Sequence, residues 1–82
     1  MNITLDSETP SFAQTGLTAG GNYSVWHTGN IIISAEIGGT VRSVFRSDQH
    51  AGIVLTGIPA TALTFSLADG CAAAEIELNR LS

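Results

Sequence analysis

Lysine is missing from this chain of 82 residues, and charged residues of every kind are scarce. Three arginines stand against seven acidic residues, which gives a net charge of −4, and only 12% of the sequence is charged. A typical soluble domain is about 25% charged. Three arginines can neutralise only a few phosphates, and the negative net charge repels DNA. We therefore expect no nucleic-acid partner.

Cysteine and histidine are also scarce. One cysteine excludes an intrachain disulfide framework, and together with two histidines it leaves too few ligands for an ordinary zinc module. We therefore expect no metal and no cofactor. The sequence contains no Gly-x-Ser-x-Gly elbow, and neither histidine has a local partner that marks it as a base. We expect a chain that is not an enzyme.

Targeting and membrane signals are missing from the pattern as well. The first residues show no basic start followed by a long apolar run, so we expect no secretory signal. Residues 51–68 carry no charge, but two glycines, a proline and several hydroxyl side chains interrupt them. Two β-strands joined by a turn explain this run better than a membrane helix does.

What the sequence does contain is the alternation typical of β-strands. Residues 2–6, 61–67 and 74–79 place an apolar side chain at every second position. Four more stretches rich in β-branched or aromatic residues are bounded by turn-forming residues: 22–27, 30–36, 40–46 and 52–56. The pattern predicts a single all-β domain over residues 1–82, a small antiparallel β-sandwich or barrel of about seven strands.

Two segments leave alternatives open. Residues 71–81 include three consecutive alanines, so a short C-terminal helix is the alternative to a last strand. Residues 7–19 have no clear strand pattern. One interpretation is therefore that residues 1–19 form an N-terminal arm whose strand adds to a neighbouring sheet.

The segment around Gly38-Gly39 predicts a hairpin whose loop length sets its register. A two-residue loop would place the two arginines of the second strand beside aliphatic partners. A three-residue loop over 37–39 instead pairs Ile31 with Phe45, and Gly39 can supply the left-handed residue that such a loop needs. We therefore expect the three-residue loop.

In that register the hairpin sheet is apolar on both faces. One interpretation packs the second face on the other sheet. The other turns it toward a partner subunit, because so short a chain has little material to cover two faces. The residues expected at such a contact are Tyr23, Val25, Ile32, Val44 and Phe45, with Arg42 and Arg46, on one strand face, as polar specificity elements.

For the other polar groups, a structural role is favoured over a catalytic or metal-binding one. Glu75 and Glu77 share one strand face and are interpreted as the solvated side of an edge strand rather than an acid–base pair. The Asp-Gln-His triplet at 48–50 lacks calcium-loop spacing and is interpreted as a solvated loop. The candidates for a ligand site are Trp26, as an aromatic anchor, and His27, which is more simply a polar cap on its strand.

Residues 17–25, Leu-Thr-Ala-Gly-Gly-Asn-Tyr-Ser-Val, are similar to the tyrosine corner of fibronectin type III and related immunoglobulin-like sandwiches. The resemblance implies that the Tyr23 hydroxyl bonds back to the chain a few residues upstream. More broadly, a small all-β chain without lysine, rich in Ala, Gly, Thr, Ser and Ile, resembles small bacteriophage virion proteins of the head-decoration, cement, tail or adaptor type.

These features favour a non-enzymatic structural subunit that stabilises or decorates a larger protein assembly, with a viral capsid or tail as the leading expectation. The expected partners are further copies of the chain, as in a trimer, and a larger capsid or tail protein, with no membrane. The expected location is the outer surface of the virion, after synthesis in the host cytoplasm. The alternative is an immunoglobulin-like module that recognises carbohydrate or a host surface through Trp26 and nearby loops.

Overall fold

The computed structural model describes residues 1–47, 51–68 and 70–81, with the backbone alone for Ser47 and Ala51. The regular secondary structure of these residues consists of β-strands only. The eight strands are β1 (Asn2–Leu5), β2 (Ser11–Gln14), β3 (Asn22–His27), β4 (Ile31–Ile37), β5 (Thr40–Ser47), β6 (Ala51–Thr56), β7 (Leu63–Leu67) and β8 (Ala74–Arg80). The predicted all-β sandwich is confirmed, with one strand more than expected. The C-terminal segment is a strand, so the helical alternative is wrong.

The strands pair in a nested order. β4 pairs with β5, β3 with β6, β2 with β7 and β1 with β8, all antiparallel. Two further pairings, β3 with β8 and β4 with β7, complete two four-stranded sheets. Sheet A has the order β1-β8-β3-β6, and sheet B has the order β2-β7-β4-β5. A nested ribbon of strand pairs rolled into two facing sheets is the jelly-roll form of the β-sandwich.

A single hydrophobic core joins the two sheets. Alternation gives each strand an inner side, and the inner side chains of both sheets are mostly aliphatic. The largest fully buried apolar side chains are Phe65, Leu5, Ile31, Ile33, Leu78 and Val25. The other side of each strand contributes to one of two outer faces, which point away from each other.

The hairpin between β4 and β5 differs from the predicted one. Its loop is the two residues Gly38 and Gly39, both with positive φ (62° and 83°), as a type I′ turn requires. A bulge then leaves Val44 unpaired and shifts the register, so that Ile33 pairs with Phe45. The expected three-residue loop is wrong because the bulge, and not a longer loop, provides the aliphatic-to-aromatic pairing.

The same bulge separates the two arginines of β5. Arg42 pairs with the buried Ala35, on the inner side of this edge strand, whereas Arg46 pairs with Ile32 on the outer side. Both arginine side chains are exposed. The expectation that they share one strand face is therefore wrong, since it assumed unbroken alternation from residue 42 to residue 46.

The segment interpreted as an arm is part of the sandwich. β1 pairs with β8 of the same chain, and Ile3 and Leu5 lie in the core. The N-terminal ammonium group of Met1 donates a hydrogen bond to the carbonyl oxygen of Leu78 at 2.9 Å. β2 was missed because it has only four residues, with Phe12 as its one large apolar side chain. The strand expected to add to a neighbour's sheet thus completes its own.

The corner before β3 contains the hydrogen bond that the immunoglobulin-like resemblance implies. The backbone N–H of Thr18 donates to the hydroxyl oxygen of Tyr23 at 2.8 Å, five residues away. The strand order, however, is the nested one of the jelly roll. In immunoglobulin sandwiches the first, second, fifth and fourth strands form one sheet. The local corner is therefore shared, and the topology is not.

Candidate functional site

The residues expected at a contact do not share one face. Tyr23 and Val25 are inner residues of β3, only 6% and 1% exposed, and both belong to the core. The expectation that they share one contact with Ile32 is wrong, because β3 and β4 belong to different sheets. Their side chains stabilise the sandwich from within and are not available to a partner in this structure.

The remaining contact candidates lie around the bulge of β5. Val44 and Phe45 are half-buried and pack against the core. Ile32 is half-buried and Arg46 is exposed, and their pairing places both on the outer side of sheet B. Of the apolar residues expected at an interface, only Ile32 therefore lies on an outer face.

The outer surface of sheet B, called face B, is almost free of charge. Two rows of side chains cross its four strands: Ser11, Ser66, Ile32 and Arg46 in one, and Ala13, Thr64, Ser34 and Ser43 in the next. The register adds Glu36 and Val41 at one end. The Ser66 hydroxyl donates to the carbonyl oxygen of Ile32 at 3.4 Å. Face B thus presents short, mostly neutral side chains around one half-buried isoleucine.

The outer surface of sheet A, called face A, has a different chemistry. Its outward positions are Asn2, Thr4, Asn22, Ser24, Trp26, Gly52, Val54, Thr56, Glu75, Glu77 and Asn79. Two carboxylates and no basic side chain occupy these positions. The two glutamates are exposed and share one face, as expected. β8 lies between β1 and β3, however, so their assignment to an edge strand is wrong.

Trp26 is the most prominent side chain of face A. It is 60% exposed and lies between Glu77 on β8 and Gly52 on β6, its cross-strand partners. A Cβ atom added to Gly52 would come within 2.6 Å of Cζ3 of the indole and closer still to Cε3. The edge of the six-membered ring therefore fills the space that a side chain at position 52 would occupy, and glycine is needed for this approach.

The carboxylate beside Trp26 is held in place by its own strand. The side-chain amide of Asn79 donates a hydrogen bond to Oε1 of Glu77 at 2.9 Å. On the other side of Trp26, the backbone N–H of Glu75 donates to the Thr28 hydroxyl at 3.2 Å. The tryptophan is thus flanked along β3 by two sets of polar groups that are already ordered.

Two shallow depressions adjoin Trp26, one toward each set. The first, of about 340 Å³, is lined by Trp26 together with Asn2, Thr4, Thr28, Glu75 and Glu77 among others. The second, of about 400 Å³, is lined by Trp26 together with Ser24, Gly52, Val54, Glu77 and Asn79 among others. Sequence reasoning missed Gly52 and Asn79. A glycine inside a strand pattern was the available signal, since it marks a close approach by another group.

Comparison with known proteins adds no relative to this picture. No family model matches this chain. No curated protein and no solved structure matches it either.

His27, expected as a polar strand cap, is fully buried. It lies on the inner side of β3, paired with Ile76, because the strand continues through this residue. Its ring meets that of Phe45 edge-on, with centroids 5.9 Å apart. Within the described part of the chain, neither ring nitrogen has a hydrogen-bond partner. Trp26 and His27 point to opposite sides of sheet A and do not form one ligand site.

The described residues contain no cluster of metal-binding side chains. In the ranges 1–47, 51–68 and 70–81, no three His, Cys, Asp or Glu side chains gather as a metal site requires. The same ranges contain no helix long and apolar enough to cross a membrane. The triplet 48–50, interpreted from the sequence as a solvated loop, lies outside the described residues.

Proposed function

We propose that the chain is a non-enzymatic structural subunit that stabilises or decorates a larger protein assembly of the viral capsid or tail type, and that it attaches through face B. The observation that carries this proposal is the near absence of charge on face B. Among its outward positions only Glu36 and Arg46 are charged. The solvated face of an antiparallel sheet is ordinarily polar, and charged side chains are a common means of keeping it soluble.

The short side chains of face B favour docking for a second reason. A contact must offset the conformational entropy lost by the side chains that it orders. That loss is near zero for alanine and reaches about 1.5–2 kcal/mol for long charged side chains. A surface of Ser, Thr and Ala around Ile32 therefore loses little entropy when another sheet or loop packs on it. Glu36 and Arg46, of opposite charge, supply polar contacts that fix the orientation of the partner.

Composition and fold support the same proposal. The chain is 12% charged and contains no lysine, which suits burial among neighbours better than life as a free monomer. Jelly-roll sandwiches include viral capsid domains and lectins, although a fold alone does not establish a function. In this proposal the partners are further copies of the chain and a larger capsid or tail protein. The acidic net charge favours the outer surface of the virion, away from packaged nucleic acid.

The test is the mass of the purified chain by light scattering over a range of concentrations, for the wild type and for Ser66→Arg. Ser66 lies beside Ile32 on the inner strand β7 of sheet B, so an arginine buried there without a partner should weaken association by about 30-fold or more. Ser24→Arg is the matched control, because Ser24 is also half-buried, on an inner strand of sheet A. We expect a defined oligomer for the wild type and for Ser24→Arg, and smaller species for Ser66→Arg.

Two outcomes would contradict association between copies of the chain through face B. One is a wild-type chain that stays monomeric at the highest concentration. The other is the reverse pattern, in which Ser24→Arg dissociates the oligomer and Ser66→Arg does not. Circular dichroism of both variants establishes that neither substitution has unfolded the sandwich.

A further inference from the structure

We propose that face A binds a neutral polysaccharide, with Trp26 as the ring against which a pyranose unit stacks. This inference does not depend on the assembly proposed above, because face A and face B lie on opposite sides of the sandwich. It rests on the exposure and support of Trp26, on the ordered polar groups beside it, and on the sign of the charge around it.

The indole of Trp26 is exposed but not loosely placed. Trp26 is 60% exposed, so a large apolar surface of its ring is in contact with water. Packing within the chain does not require a tryptophan at such an exposed position. Its ring edge fits into the space above Gly52, and Glu77 borders it on the other side. A ring seated against the backbone in this way has less conformational freedom to lose when a ligand stacks on it. The C–H groups of a pyranose present an apolar surface of the kind that stacks on such a ring.

The polar groups next to the ring suit hydroxyl-rich ligands. Glu77 offers a carboxylate that the Asn79 amide already orients, at 2.9 Å. Carboxylates and side-chain amides accept and donate the hydrogen bonds that pairs of sugar hydroxyls form. The Thr28 hydroxyl and Ser24 extend the polar lining on the two sides of Trp26.

The length of the site favours a chain of sugars over a single one. Depressions of about 340 and 400 Å³ adjoin Trp26 on its two sides along β3. Ser24 lines one and Thr28 lines the other, and four residues of strand span roughly 13 Å. Because Trp26 lines both depressions, an oligosaccharide that occupies both contacts the indole. One tryptophan can therefore take part in binding several consecutive sugar units.

Charge selects among polysaccharides. The outward positions of face A hold Glu75 and Glu77 and no basic side chain, in a chain whose net charge is −4. Uronate, sialic acid or sulfate groups would meet like charge there. Neutral hexose or N-acetylhexosamine chains meet no such penalty. The same carboxylates argue against a protein partner at Trp26, since charged residues are depleted at the centres of protein interfaces.

The experiment uses Trp26 itself as the reporter, because it is the single tryptophan of the chain. Cellohexaose, maltohexaose and chitohexaose are titrated against the folded chain, with hexagalacturonate as the acidic counterpart. We expect at least one neutral hexaose to shift the tryptophan emission to shorter wavelength with saturation, and hexagalacturonate to leave it unchanged. Calorimetry of the same titrations gives the affinities of the variants.

Trp26→Ala should weaken binding of that hexaose by about 30-fold or more, as expected for an anchor residue. Glu77→Gln should weaken it several-fold, because a charge-assisted hydrogen bond becomes a neutral one. Phe12→Ala is the matched control, since Phe12 is another exposed aromatic residue, on β2 of sheet B. It should bind as the wild type does.

The proposal is overturned if none of the neutral hexaoses binds, if Trp26→Ala binds as tightly as the wild type, or if hexagalacturonate binds better than the neutral probes. A change in oligomer mass in Trp26→Ala, without sugar binding by the wild type, would instead make face A a protein contact. Failure of the face B proposal is distinguishable, because Ser66→Arg should change the mass and leave the sugar affinity unchanged.

Discussion

Face A and face B are outer surfaces of the same sandwich, and they hold different chemistry on equivalent scaffolds. Both consist of four antiparallel strands whose inner sides fill one core. Face A combines an exposed tryptophan with two carboxylates, whereas face B presents serine, threonine and alanine around Ile32. The core requires apolar side chains at most of the inner positions, with His27 as the buried exception. The outer positions are left free, so each surface can be adapted separately.

The comparison also shows that placement matters more than composition. An overall content of 12% charged residues describes neither surface. The outward positions of face A include two acidic and no basic residues, while Glu36 and Arg46 on face B are of opposite charge. A solvated acidic surface and a neutral one suit different partners, namely a hydroxyl-rich ligand and another protein.

The largest expected effect comes from removing β1, the edge strand of sheet A, which changes face A and leaves the strands of face B in place. Deletion of residues 1–9 eliminates β1, and with it the core side chains Ile3 and Leu5. At about 1.5–3 kcal/mol for each buried aliphatic side chain, the free energy of unfolding should fall by roughly 3–6 kcal/mol. Urea unfolding followed by circular dichroism measures this loss.

The control for that deletion is the double variant Asn2→Ala, Thr4→Ala, which changes the outward positions of β1 and keeps the inner ones. It should unfold close to the wild type. Unchanged stability of the deletion, together with a changed oligomer mass, would contradict the structure and favour an N-terminal arm whose strand adds to a neighbouring sheet.

A second prediction concerns the inner side of β3, directly behind face A. His27→Leu replaces buried ring nitrogens that lack partners among the described residues by an apolar group of similar size. A buried unsatisfied polar group costs about 1–3 kcal/mol, so stability should rise by about 1 kcal/mol or more. Sugar affinity on face A should not change. Thermal unfolding is the measurement.

Tyr23→Phe is expected to lower the stability, whereas His27→Leu is expected to raise it. Tyr23 is also an inner residue of β3, but its hydroxyl accepts the Thr18 N–H bond at 2.8 Å. Loss of that acceptor should lower stability by about 0.5–1.5 kcal/mol. A fall in stability for His27→Leu as well would mean that the histidine ring has a bonding partner, which would reverse our interpretation of it.

The smallest expected effect on stability is that of Gly52→Ala, which tests whether the position of Trp26 on face A depends on this glycine. In Gly52→Ala the new Cβ cannot coexist with the present position of Trp26, so the indole must move. Alanine is favoured over glycine within a strand by about 0.5–1 kcal/mol, which offsets the loss of contact and leaves stability nearly unchanged. The tryptophan emission maximum and the affinity for the neutral hexaose should both change.

Gly57→Ala does not serve as a control, because its φ of 66° would itself introduce strain. Val54→Ala, on the same strand and the same face, is a better one and should leave the emission maximum near its wild-type value. An unchanged spectrum in Gly52→Ala would show that the ring does not depend on the glycine.

Sequence patterns predicted the strands that alternate cleanly and failed where a local irregularity changed the count. The segments 2–6, 61–67 and 74–79 all became strands, because their inner residues lie at every second position. The β4–β5 register was wrong, since a one-residue bulge at Val44 leaves no signature in composition. β2 was missed because Phe12 is its one large apolar side chain, so its residues show no alternation of the kind that marks β1.

The candidate sites were harder to predict for a different reason. Trp26 was singled out from its type alone, but its support comes from Gly52 and Glu77, which lie 26 and 51 positions later in the sequence. Such neighbours follow from strand order, and alternation within a strand does not determine strand order. The assignment of Tyr23 and Val25 to a contact surface failed for the same reason, because it placed β3 and β4 in one sheet.

The nested pairing of the strands has a kinetic consequence. The β4–β5 hairpin closes across two glycines, whereas the β1–β8 pair joins opposite ends of the chain, and the hydrogen bond from Met1 to Leu78 beside it spans 77 positions. Each inner pair shortens the loop that the next pair must close, which favours an order of formation from the hairpin outward. Topologies dominated by such distant pairings fold in milliseconds to seconds. We expect native opening to begin at the outermost pair, so that the amide hydrogens of the β1–β8 pair exchange before those of the β4–β7 pair, which joins two inner strands.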